Sequence, residues 1–251
     1  MAQALSIACQ HNEIEVALVL CDLISGRAVA AQNLLDELYA QSSGVADTTS
    51  LLQFLKSARF RGPQDVVSAQ CSDLFWVLEN RQGIPISLAV IAMGVAHACG
   101  LRASGVNFPG HFLLDVEGDL VDPVTMQPVA GEQIQQLLQR LGGEVPTASL
   151  LRRTQPADVA LRMLNNLKAL ALQTQDYEET LQLLDLQLAI AEGTSAVALQ
   201  VERGNVWLHL GHKEVASQCF TLAASQTDDE ALLAQIFERL QSAGGPEGVL
   251  H

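Results

Sequence analysis

Hydrophobic positions recur along this chain with two different periods, and the switch between them marks its architecture. Over the first eighty residues the period is helical. Ile14, Ala17, Leu18 and Cys21 fall on one face, and Leu34, Leu35, Leu38 and Tyr39 repeat the pattern after a break near Gly26. Leu51, Leu52, Leu55 and Ala58 form the apolar side of a further helix. Asp47 to Ser50 supplies cap residues for it and Arg61-Gly62-Pro63 ends it. Another helix is predicted from about Ser72 to Glu79, with Leu74, Phe75 and Leu78 inward. From Pro85 to Ala98 the residues are apolar nearly all round, which predicts a central helix covered on most sides. Pro85 in its first turn and Gly100 just past its end fit the usual asymmetry of helix termini.

The period then shortens. Ser104 to Phe108 reads as a strand closed by Pro109-Gly110, and His111 to Val116 and Leu120 to Asp122 flank a hairpin signal at Glu117-Gly118-Asp119. Residues 1–150 are therefore expected to form an α+β domain, with a helical lead-in and a small antiparallel sheet beside helices. From about Gln155 the helical period returns, and residues 151–251 are expected to form an all-α domain. Aligning Gln175-Asp176-Tyr177 with Gly211-His212-Lys213 gives an internal repeat at an offset of 36 residues. Gly204, Trp207, Gly211, Ala216, Phe220 and Ala223 follow the small/large alternation of a tetratricopeptide-like helix pair, in which small residues let helices approach. An ordinary helical bundle is the competing reading. Asp228-Asp229-Glu230 reads as the charged start of a last helix, and Ser242 to Gly248 as a frayed tail.

Composition narrows the function classes. A net charge of −14 disfavours nucleic acid and anionic membranes as direct partners. Five scattered cysteines, with no CxxC pair, suggest reduced thiols and a cytoplasmic home. No secretory signal is visible, and the apolar run from Leu88 to Ala98 is too short to span a bilayer. No cofactor is expected: no phosphate-binding loop is present, and His209 and His212 lack acidic or thiol neighbours at metal-ligand spacing.

One constellation carries chemistry. Gly83-Ile84-Pro85-Ile86-Ser87 opens the central helix, His111 follows on a strand, and Asp122-Pro123 closes the next one. A helix N-terminus offers unpaired amides and partial positive charge, which favour a nucleophile and an oxyanion. A histidine can take the proton and an aspartate can orient it. Each residue also has an ordinary reading: Ser87 as a first-turn cap, His111 bonded to a loop carbonyl, Asp122 as a turn starter. Cys71, before the helix that contains Trp76, is a candidate substitute nucleophile, and its apolar flank favours an inert buried thiol. Cys99, at the far end of the central helix, reads as structural.

Gly83 to Ser87, Phe108-Pro109-Gly110-His111-Phe112 and Val121-Asp122-Pro123 resemble the transglutaminase-like domain of the SirB-type family, which joins this domain to C-terminal tetratricopeptide repeats. The resemblance implies a papain-like fold, with a helix carrying the nucleophile and a sheet carrying His and Asp. In active transglutaminase-like enzymes a cysteine opens the central helix. Matched through Ala89 and Gly100, it falls at Pro85 here. Ser87 is the nearest hydroxyl, two residues on and about 200° round the helix. The expectation is a non-catalytic or weakly active interaction and regulatory protein built on a degenerate site. Pro85, Ile86, Phe108 and Gly110 would line its pocket, and a protein or peptide partner would meet the repeats at Tyr177, Trp207 and Gly211. The alternative is an acyl-transfer enzyme, an amide hydrolase or transferase, with Ser87 as nucleophile, His111 as base, Asp122 as orienter and the amides near Ile86 and Ser87 as oxyanion hole.

Overall fold

The computed structural model describes residues 1–64, 67–108, 110–140 and 151–244. Pro109 and residues 245–248 of the expected tail lie outside these described residues. The chain divides into two compact units, Gln3–Asn166 and Leu167–His251.

The first unit is helix-rich with a small antiparallel sheet. Its helices are α1 (Ala2–Ala8), α2 (Glu13–Ser25), α3 (Ala28–Gln41), α4 (Thr48–Ser57), α5 (Leu74–Asn80), α6 (Pro85–Ala98) and α7 (Gly131–Arg140), with a 3-10 turn at Ala69–Ser72. Local chemistry sets their ends. Asn12 caps α2 by accepting the Glu15 amide at 2.9 Å, and Gly26 stops it with φ of 67°. The helix expected from Leu51 starts earlier, at Thr48. Asp47 accepts the Ser50 amide at 2.8 Å while Ser50 Oγ accepts the Asp47 amide at 3.1 Å, a capping box that fixes the start.

Helix α6 is the axis of this unit. Every residue from Ile86 to Ala96 is buried, because α2, α3, α4, α5 and two strands all pack on it. Gly94 makes one of these approaches possible. A Cβ there would lie 2.3 Å from the Tyr39 hydroxyl and 2.8 Å from the Ile14 Cδ1. Side chains from α2 and α3 thus fill the space that a larger residue would need.

The sheet runs in the order β1 (Ala103–Phe108), β2 (His111–Val116), β3 (Asp119–Asp122) and β4 (Gln127–Pro128). Phe108 pairs with His111, and Val116 pairs with Asp119 across Glu117-Gly118. Both turn residues have positive φ, 52° and 97°, as a tight two-residue hairpin turn requires. Helix α7 and strand β4 are not among the elements predicted above; β4 is only two residues long, whereas α7 carries Ile134, Leu137 and Leu138 at helical spacing. Beyond residue 150 the chain stays with this unit: Arg153 bridges to Val106, and the Thr154 amide donates to the Gly105 carbonyl at 2.8 Å. The first unit therefore runs past the boundary at 150 that the sequence pattern suggested.

Helix α8 (Pro156–Gln173) contains the division between the units and is followed by α9 (Tyr177–Leu188), α10 (Gly193–His209), α11 (Lys213–Ser225) and α12 (Glu230–Ser242). The starts of α9 and α11 keep the 36-residue offset seen in the sequence. Asp229 caps α12 by accepting the amides of Ala231 and Leu232. Ser242, expected in the tail, ends this helix. Val197, Ala216, Phe220, Ala223 and Ile236 form the core of α10–α12. At Gly204 a Cβ would meet the Phe220 ring at 2.5 Å, so the small residue admits the aromatic one. Lys168 of α8, 5% exposed, is ion-paired with Glu202, and Arg203 of α10 pairs with Asp185 of α9 at 2.9 Å.

Candidate functional site

Pro85 is the first residue of α6, and Ile84 before it supplies no side-chain cap. The helix itself leaves the amides of Ile86 and Ser87 without acceptors, because they precede its first i→i−4 bonds. Pro85 contributes neither an amide proton nor a nucleophile, and it stands where the family resemblance places a cysteine. Ser87 follows in the same turn. It is 1% exposed, and its Oγ is buried without a hydrogen-bond partner.

His111 opens β2 and is exposed, one residue after Gly110, whose φ is 75°. Asp122 ends β3. Its Oδ1 accepts the Val124 amide at 2.8 Å, so this oxygen holds the following turn. Extending the β2–β3 register by one pair sets Asp122 opposite Leu113, which shares a sheet face with His111. The structure thus brings His111 and Asp122 onto one face as diagonal neighbours, roughly 7–8 Å apart by sheet geometry. No hydrogen bond or ion pair joins Ser87, His111 and Asp122. The buried residues of that face, Val106, Phe108 and Leu113, pack with Leu120, Val129 and Leu151, and among the described residues no α6 side chain belongs to this cluster.

The residues expected to line a pocket separate in the same way. Ile86 and Phe108 are each 1% exposed and serve as core, Gly110 is exposed at the hairpin tip, and Pro85 is half-buried. A surface depression does exist in this unit, lined by Gln41, Val45, Ser50, Gln53, Phe54 and Ser57, and it contains none of these residues.

Cys71 is brought to the threshold of α6, where its carbonyl accepts the Ile84 amide at 3.2 Å, but the residue is buried. At the opposite end, the Cys99 thiol donates to the Ser42 carbonyl at 3.4 Å. Burial pushes the Cys21 thiol up to about 12, with the Asp73 side chain adding to it. Burial also raises Cys9 and Cys219. Such thiols resist forming the thiolate that nucleophilic chemistry needs.

One contributor was hidden in the sequence. The Arg61 amide donates to the Arg81 carbonyl at 3.0 Å, and the Gly83 amide donates to the Arg61 carbonyl at 3.2 Å. This pairing leads the chain into α6. A Cβ at Gly62 would lie 2.7 Å from Val124 Cγ1, so the same segment touches the turn that Asp122 holds. Gly62-Pro63 signalled only the end of a helix; the packing could not be read from it.

In the helical unit, Tyr177 and His209 have ring centroids 4.7 Å apart, and Trp207 and His212 meet edge to face at 5.4 Å. Gly211, φ 81°, reverses the chain between them. The three residues expected at an interaction surface therefore sit around neighbouring turns. Among the described residues no three His, Cys, Asp or Glu side chains converge as a metal site, and no helix is long and apolar enough to cross a membrane.

Comparison with known proteins gives this geometry a family. The chain is 34% identical over 155 residues to a UPF0162 protein of Xylella fastidiosa, covering 58% of this chain and 54% of that one. It is 31% identical over 174 residues to a UPF0162 protein of Pseudomonas aeruginosa, covering 68% and 64%. It is also 31% identical over 176 residues to F-box only protein 21 of Mus musculus, covering 65% and 28%. The chain thus spans between about half and two thirds of the bacterial relatives. No solved structure matches it significantly. A family model described as the transglutaminase-like superfamily matches residues 26–165, from the start of α3 through the sheet and into α8. With more than half of its length matched, and with an apolar central helix beside a small antiparallel sheet, the chain belongs to the transglutaminase-like superfamily.

Proposed function

We propose that this chain is a non-catalytic interaction and regulatory protein, in which a transglutaminase-like domain of SirB type has lost its covalent chemistry. One observation carries this reading: the only hydroxyl in the first turn of α6 is sealed from solvent and bonded to nothing. A nucleophile needs a base within hydrogen-bond reach and an open side for substrate. Ser87 has neither, Pro85 replaces the thiol, and His111 stands free on a sheet face whose core excludes α6.

The helical unit is the binding part of this proposal. Its pairs are tetratricopeptide-like: the 36-residue offset, the close approach at Gly204 and the aromatic filler Phe220 support that assignment. A protein or peptide partner meets it near Tyr177, Trp207 and Gly211, in the cytoplasm. His111 and Asp122, side by side on one sheet face, are the relic of the lost site.

A fluorophosphonate probe on the full chain tests the reading, with Ser87→Ala as control. No labelling of the folded protein is expected. Labelling that disappears in Ser87→Ala, and weakens in His111→Ala, overturns the proposal in favour of an acyl-transfer enzyme using Ser87, His111 and Asp122.

A further inference from the structure

We infer that the end of the helical unit formed by the α8–α9 and α10–α11 turns docks a basic polypeptide segment carrying an apolar anchor. The inference deepens the interaction reading above and rests on its assignment of binding to the helical unit.

The ring contact between Tyr177, at the start of α9, and His209, at the end of α10, makes the two turns neighbours. Leu172, three residues before the α8–α9 turn residue Gln175, is 37% exposed, and Leu210, next to His209, is 40% exposed. The Gln175 amide donates to the Leu172 carbonyl, which keeps that leucine at the turn. Gly211 presents no side chain beside them. Single exposed leucines mean little, but Leu172 and Leu210 stand at turns that the Tyr177–His209 contact makes neighbours, which gives this end of the unit apolar surface.

Its rim is acidic. Asp176, Glu178, Glu179 and Glu214 are all exposed around these turns. Residues 167–251 carry four Lys or Arg against twelve Asp or Glu. Three of the four cations are engaged inside the unit: Lys168 with Glu202, Arg203 with Asp185, and Arg239 with the Asn205 side chain at 2.7 Å. Among the described residues that leaves Lys213 as the one cation near the patch without an acidic partner. Asp176, Glu178, Glu179 and Glu214 outnumber that one cation, so an acidic segment is repelled and a Lys- or Arg-bearing one is attracted. The half-buried Tyr177 ring adds a face suited to cations, while Trp207 packs against the core of the unit. The occupant that satisfies both features is a basic segment whose apolar residue seats between Leu172 and Leu210 while its cations meet Glu178, Glu179 and Glu214.

The test is binding of a short fluorescent lysine–leucine peptide to the full chain, beside the same peptide with each lysine replaced by glutamate. The lysine peptide is expected to bind, weakening with added salt as exposed ion pairs do, and the glutamate peptide is not. Glu178→Lys with Glu179→Lys, and separately Leu210→Ser, should each weaken binding about tenfold, with unchanged circular dichroism. Absence of binding by the lysine peptide, or equal binding by the variants, overturns the inference. That failure is distinguishable from failure of the non-catalytic reading, which is decided by serine labelling alone.

Discussion

Helices α6 and α10 use glycine in the same way and end in opposite situations. Gly94 lets Tyr39 and Ile14 press against α6, and Gly204 lets Phe220 press against α10. Yet α6 is buried on every side from Ile86 to Ala96, whereas α10 buries only Val197, Leu199, Gln200, Gly204 and Val206. A helix covered all round can act on other molecules only at its ends, and the N-terminal end of α6 is closed over Ser87. A helix covered on one side keeps a face and a terminus for partners. The transglutaminase-like domain thus spends its most apolar element on the core, and the helical unit keeps surface to spare.

That contrast can be broken most forcefully in the helical core. Phe220→Ala removes the largest side chain of the cluster and reopens the space beside Gly204. A loss of about 3–5 kcal/mol is expected, read from denaturant midpoints at unchanged m-value. Gly94→Val inserts a branched side chain where the Tyr39 hydroxyl and Ile14 already sit. About 1–3 kcal/mol should be lost, because a helix packed on all sides has nowhere to move. A neutral result would mean that α6 is less tightly enclosed than its burial indicates.

A pH experiment sharpens the same point. The Cys21 thiol, ordinarily near 9.0, and the Tyr39 hydroxyl, ordinarily near 10.0, are both pushed up to about 12, mainly by burial. Their folded values exceed their unfolded ones, so the stability they contribute is complete below pH 9 and is lost as pH rises towards 12. Tyr39→Phe should flatten this decline above pH 10, and Cys21→Ala should flatten it from pH 9. Denaturation at stepped pH, with an unchanged slope in both variants, would contradict the assignment.

The smallest effect is expected at the residue of greatest chemical interest. Ser87 Oγ makes no hydrogen bond, so Ser87→Ala removes an unsatisfied buried donor. Stability should stay within about 1 kcal/mol, on the stabilising side. A clear destabilisation would reveal a partner for Ser87 and reopen the enzyme reading.

Much of this organisation is legible in the residue pattern. The all-apolar run from Pro85 to Ala98, the three strands from Ser104 to Asp122 and the helical repeat each depend on local periodicity, turn chemistry and capping. These are properties of neighbours in the chain. Asp122 before Pro123 is a turn starter by residue type, and its Oδ1 accepts the Val124 amide. By contrast β4, two residues long, is too short to carry a period, α7 carries a helical pattern only at Ile134, Leu137 and Leu138, and the start of α4 depends on a reciprocal side-chain bond rather than on hydrophobicity.

What the sequence determined by itself, then, is which elements form and the order in which Ser87, His111 and Asp122 follow one another. Tertiary structure alone decided that Ser87 is sealed, that His111 and Asp122 share a sheet face without bonding, and that Gly62 meets Val124 across more than sixty residues. It also decided that residues 151–166 join the first unit and that Tyr177, Trp207 and Gly211 gather around adjoining turns. The reason is that periodicity assigns a side chain to a face, while distance and burial depend on what packs against that face from elsewhere in the chain.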